Sequence, residues 1–143
     1  MSVEDNKETV RRYIEDVWNQ GNLDLIDELC ETDVVSHTDH YGSTVGAADR
    51  RRVAAAFLAA FPGLYLEIHD LFGERDLVAA RGTMRATQEQ EVFGIPPQGR
   101  HVTVDGVLMA RLRDGKISEL WVHYDFEGFL RQLGVPIETA IGR

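Results

Sequence analysis

Trp121, His123 and Asp125 alternate along "WVHYDFEGFLRQLG", residues 121 to 134, where an apolar alternating pattern gives way to helical spacing. Residues two apart on a strand share a face, so the imidazole and the carboxylate stand side by side. A carboxylate on an apolar concave face loses hydration, and its pKa rises toward neutrality. Such a group can take a proton in one step and return it in the next. The matching chemistry is abstraction of a proton α to a carbonyl, followed by aldol closure or isomerisation. A neutral His123 could set its tautomer against Asp125 or donate to a developing oxyanion. The competing role for Asp125 is N-cap of the helix that begins at Phe126, which would keep the carboxylate acidic and a poor base. His123 is then only a wall residue.

The other imidazoles offer less. His37 and His40 flank Asp39 in "SHTDHYG", but no helix aligns them and no further ligands lie nearby, so a metal is not expected. His37 ends a short strand and is expected to contact substrate at a cavity rim; His40 is expected on a loop surface. His69 and His101 read as exposed or structural. Cys30 is the single cysteine; it lies on the apolar face of a short helix and reads as a buried small residue, with no internal disulfide possible. "GIPPQG" lacks phosphate-loop spacing, and no Ser or Cys nucleophile motif is present.

The elements that must position these groups follow from periodicity. Val10, Tyr13, Ile14, Val17 and Trp18 mark one face of a helix over about 4–19, capped by Ser2 and ended by Gly21. A second helix spans about 23–30 with Asn22 as a possible cap, and "DVVSH" follows as a short strand. A third helix spans about 48–61, with Val53, Ala56, Phe57, Ala60 and Phe61 inward and Pro62 as its stop. Two hairpins follow, "LYLEIHDLF" with "LVAARGTMRAT" and "HVTVDGVLMARLR" with "KISELWVHY". The second turns at Asp114-Gly115. A last helix covers about 126–133, with Gly134 at its C-terminus. Helices first and strands after predict an α+β fold, a curved antiparallel sheet over N-terminal helices. An unbroken ladder from that turn pairs Leu108 with Trp121, Gly106 with His123 and Val104 with Asp125, all on the cavity face, and turns Tyr124 outward. Both sheet faces are apolar, so the outer one is expected to meet a second copy of the chain.

The bulk numbers agree with one domain over 1–143. The net charge of −9 opposes nucleic acid and anionic membranes as partners. No apolar run reaches a membrane span, and the polar start "MSVEDNKETV" does not read as a signal peptide, so the cytoplasm is the expected location.

Three stretches carry a resemblance: "VRRYIEDVWNQGNLDLIDELCETDVVSH", "VFGIPPQGRHVTVDGVLMARLRDGKISELW" and "DFEGFLRQLG". They resemble the SnoaL-like polyketide cyclases of the nuclear transport factor 2-like superfamily. The resemblance implies a cone-shaped α+β barrel around an apolar cavity, and association through the outer sheet face. It implies that Asp125 acts as acid/base in an intramolecular aldol closure without metal or organic cofactor. The ligand would be a small apolar or aromatic molecule. Its expected walls are Tyr13, Val17 and Trp18 from the first helix, Phe57 and Phe61 from the third, and Met84, Val104, Leu108 and Trp121 from the strands. Leu108 stands where a cyclase of the family has a histidine, and His123 where many relatives are apolar. The alternative reading is therefore a non-catalytic, dimerising small-molecule-binding module of the same fold.

Overall fold

The structure, a computed structural model, describes residues 2–38 and 42–135. Helix α1 (Val3–Arg12) starts at a capping box: the Ser2 hydroxyl accepts the Asp5 N–H, and the Asp5 carboxylate accepts the Ser2 N–H. It continues as a π-helix over Tyr13–Asn19. There the Gln20 N–H reaches back to the Glu15 carbonyl at 3.2 Å. Five-residue closure brings Tyr13 and Trp18 to the same side, where both line the cavity. Gly21, at φ 70°, ends the helix as expected.

Helix α2 (Leu25–Leu29) is shorter than the pattern suggested. Asp24, not Asn22, is its N-cap, and Asn22 instead accepts the Leu25 N–H on its carbonyl at 3.2 Å. Cys30 already belongs to strand β1 (Cys30–Thr38). Strand β2 (Gly42–Val45) has no apolar alternation to announce it and follows a segment outside the described residues. Helix α3 (Ala47–Ala60) packs Arg50, Ala54 and Ala60 inward. Ala56 is exposed, contrary to expectation, because the buried stripe runs one position off it.

Strands β3 (Tyr65–Glu74), β4 (Leu77–Thr87), β5 (His101–Arg113) and β6 (Lys116–Tyr124) form the meander, and α4 (Phe126–Gln132) closes the chain's described part. The curved open sheet runs β2-β1-β6-β5-β4-β3. All pairs are antiparallel except β1 with β6, which are parallel. The sheet is thus mixed at that one seam, where β1 lies beside the last strand of the meander. The helices fill its inner face. One core cluster joins α1, α2 and β1 to the sheet; the other gathers Phe61, Val102, Phe129 and Leu133, and Trp18 touches both. The Asn19 amide ties the helix to edge strand β3, donating to the Leu66 carbonyl at 2.9 Å and accepting its N–H at 2.7 Å.

The expected ladder between β5 and β6 is corrected by one residue. Arg113 does pair with Lys116 and Leu112 with Ile117, but Arg111 pairs with Glu119. Ser118 is the extra residue, and its hydroxyl donates to the Arg111 carbonyl at 3.1 Å. Beyond this bulge Leu108 pairs with Val122, Met109 with Trp121, and Gly106 with Tyr124. A one-residue slip exchanges the faces. Leu120, Val122 and Tyr124 therefore join Val104 and Leu108 on the inner face, and Trp121 and His123 lie on the outer one.

Candidate functional site

A cavity of about 170 Å³ opens between the helices and the inner sheet face. That is close to the roughly 150 Å³ of a dry apolar cavity able to hold benzene. Of the expected wall residues, Tyr13, Trp18, Phe57, Met84, Val104 and Leu108 line it. Val17 and Phe61, both 0% exposed, lie behind the wall in the core. Trp18 meets Phe57 edge-on at 6.2 Å, so two helices share one aromatic wall.

The bulge corrects the expected facing of Trp121, His123 and Tyr124, and His37 on β1 follows Trp121, its partner in the parallel pair. Trp121 and His37 are on the outer face, stacked at 5.6 Å, and His37 shares hydrogen bonds with Ser43 at 2.7 Å and Glu119 at 2.6 Å. His37 therefore does not point at the cavity rim as a substrate contact. His123 borders the rim, but from the outer face, and is exposed. Asp125 lies one residue past β6 and caps α4, its Oδ1 accepting the Gly128 N–H at 2.9 Å. A Cβ on Gly128 would lie 2.1 Å from the Asp125 Oδ2, so glycine is what lets the carboxylate settle there. Tyr124, expected outward, lines the cavity and meets Phe129 edge-on at 5.9 Å.

His69 and His101 stay out of the site. His69 shares a 2.7 Å hydrogen bond with Thr83, whose hydroxyl donates to Asp105 at 2.8 Å. His101 is exposed beside Thr87. His40 and Asp39 lie outside the described residues. Among the described residues no group of three or more His, Cys, Asp or Glu side chains is placed to hold a metal ion. Burial pushes the Cys30 thiol up to about 12, so it carries no thiolate near neutrality.

Arg50 is the polar group the sequence reading missed. It is 6% exposed, lines the cavity, and sets its guanidinium carbon 6.0 Å from the Trp18 ring centre. Burial pushes the Tyr13 phenol up, and the Arg50 charge opposes that shift. The signal was present: positions 50, 54, 57 and 61 recur on one helical face, and Arg50 begins that stripe.

Chain order, cavity and sheet topology can now be set against known proteins. The family model for SnoaL-like polyketide cyclase matches residues 8–133. No curated protein matches the chain. A candidate SnoaL-like polyketide cyclase from Jannaschia sp. CCS1 has a TM-score of 0.87 at 24% identity, over 93% of this chain and 94% of that one. AclR, a candidate hydroxylase from Streptomyces galilaeus, has a TM-score of 0.82 at 31% identity, over 94% and 100%. IdmH, a candidate polyketide cyclase from Streptomyces antibioticus, has a TM-score of 0.77 at 32% identity, over 91% and 99%. With a profile match over nearly the whole chain and full-length structural agreement, the chain belongs to the SnoaL-like polyketide cyclase family.

Proposed function

We propose that the chain is a cofactor-independent enzyme of the polyketide cyclase type, acting on an apolar or aromatic ketone. The observation that carries this reading is the cavity itself, apolar and aromatic on both its helix and its strand walls, within a family of cyclases. In the reaction, a carboxylate removes a proton α to a carbonyl, the enolate carbon attacks a second carbonyl, and the proton passes to the new alkoxide. Mass is unchanged and no external oxidant or reductant is required.

Asp125 is the proposed acid/base; it is exposed just past the end of β6 and is not among the residues that line the cavity, whose rim His123 borders two residues earlier. To act, Asp125 must release the Gly128 amide. Losing an N-cap costs about 1 kcal/mol, which is small against the roughly 10²–10⁴-fold that acid–base catalysis supplies. The test is incubation with aryl 1,5-diketones, each as its carboxylic acid and as its methyl ester, with products separated by liquid chromatography and identified by nuclear magnetic resonance, since ring closure leaves the mass unchanged. An isomeric, ring-closed product that Asp125→Asn abolishes is the expected result. Turnover unaffected by Asp125→Asn would remove Asp125 from the mechanism.

A second reading is a non-catalytic binding module. It is favoured by one specific arrangement: Asp125 is engaged by α4 while the wall at Leu108 is apolar. Ligands bound and recovered unchanged would select it. AclR, a candidate hydroxylase, and IdmH, a candidate cyclase, are both similar to this chain, so the fold alone does not choose the reaction.

A further inference from the structure

Three arginines stand in a row at the start of α3, and only one of them is buried. Arg51 pairs with Asp27 and approaches Asp24, and Arg52 lies 3.5 Å from Asp49. Arg50 points the other way, into the cavity. Among the described residues no carboxylate pairs with it, and its Nε is buried without an acceptor. The nearest compensation is the Trp18 ring at 6.0 Å, which meets only part of what a desolvated cation needs.

This arrangement is costly for the fold alone. A buried lysine could shed its proton, but a guanidinium keeps its charge at any ordinary pH. A buried charge without a counter-ion is rare because its lost hydration is not replaced. Position also disfavours it: Arg50 lies in the first turn of α3, whose exposed N–H groups make that end positive. Both features become favourable when a planar oxyanion lies against the guanidinium. The surrounding walls, Tyr13, Trp18, Phe57 and Met84, are apolar or aromatic, so the anion must be carried on an apolar body.

We propose that Arg50 is the ligand-anchoring residue, and that the cavity selects aromatic molecules bearing a carboxylate over their neutral esters. This rests on the reading of the cavity as a small-molecule site, but not on any catalytic step. At about 170 Å³ the cavity, open on one side, suits a small aromatic body.

The test uses the full chain, with 2-naphthoate and its methyl ester as probes in isothermal titration calorimetry. The acid is expected to bind at least about tenfold more tightly than the ester, as a charge-assisted contact demands. Arg50→Met keeps the length and apolar stem, and should reverse that order while raising the unfolding temperature of the unliganded protein. Equal affinities for acid and ester in the wild type would overturn the anchoring role and leave the cavity reading intact, even if Arg50→Met failed to fold. Failure of both probes to bind would overturn the cavity reading, and the anchoring role with it. A folded Arg50→Met that is less stable, with the acid still preferred, would make Arg50 a structural residue and overturn the proposal.

Discussion

Asp125 caps α4 and is the proposed acid/base, and two substitutions separate the observed role from the proposed one. Asparagine caps a helix about as well as aspartate but cannot take up a proton near neutrality. Asp125→Asn should therefore unfold within about 0.5 kcal/mol of the wild type, and Asp125→Ala should lose about 1 kcal/mol, both by urea titration. If Asn alone destabilises as much as Ala, the capping bond to Gly128 is not the stabilising feature. Cys30 gives a pH prediction. Its thiol is raised from 9.0 to about 12 by burial. Between those values the unfolded chain binds fewer protons than the folded one, so stability falls as pH rises, by up to about 1.4 kcal/mol per unit. Native protein at pH 8 should resist alkylation, while urea-unfolded protein reacts at once; rapid labelling of the native form would contradict the burial of Cys30. Residue types proved legible where they followed period alone, as Tyr13, Trp18 and Phe57 did. Arg50 was not, because a charge on an apolar stripe is ordinarily taken for the solvated edge of a helix.

Element by element, the strand limits of β4, β5 and β6 match the sequence pattern, since Asp114-Gly115 and the flanking alternation leave little choice. Their facing did not follow, and the reason is a single residue. Ser118 has no side-chain property that marks a bulge, yet it exchanges the two faces of everything from Glu119 to Tyr124. Reading a ladder outward from a turn carries each error to the end of the strand, which is where Trp121, His123 and Tyr124 sit. Deleting Ser118 would restore the unbroken ladder and drive Trp121 and His123 inward while exposing Leu120 and Val122. A loss of more than about 3 kcal/mol in urea unfolding is expected, because core and surface residues would trade places. A deletion variant of near-native stability would show that the register is not fixed by this bulge. Gly82 is a second backbone constraint on the sheet: a Cβ there would lie 2.2 Å from the Glu67 carbonyl oxygen, beside the irregularity in β3.

At the scale of the molecule, the bulge that takes Trp121 out of the cavity puts it to use on the other side. One row of paired positions crosses the outer face: His37, Trp121, Met109, Ala79 and Phe72, on five successive strands. Phe72 is 62% exposed, and Val107 in the next row is 41% exposed. Ion pairs flank the apolar row instead of interrupting it, with Arg81 on Asp70 at 2.7 Å and Arg111 on Asp76 at 2.9 Å. A broad apolar sheet face with a charged rim suits association between two copies of the chain, and with −9 charges on each copy a polar contact would be the less favourable choice. The expected state in solution is a homodimer through this face, measured by light scattering at micromolar concentration. Met109→Lys places a charge at the centre of the row and should yield monomers, with circular dichroism unchanged. Phe72→Lys, at the exposed end of the row, perturbs the monomer least and should weaken the dimer by a smaller factor. A wild-type monomer, or a dimer indifferent to both substitutions, would assign the outer face another role and leave the cavity on the opposite face of the sheet unaffected.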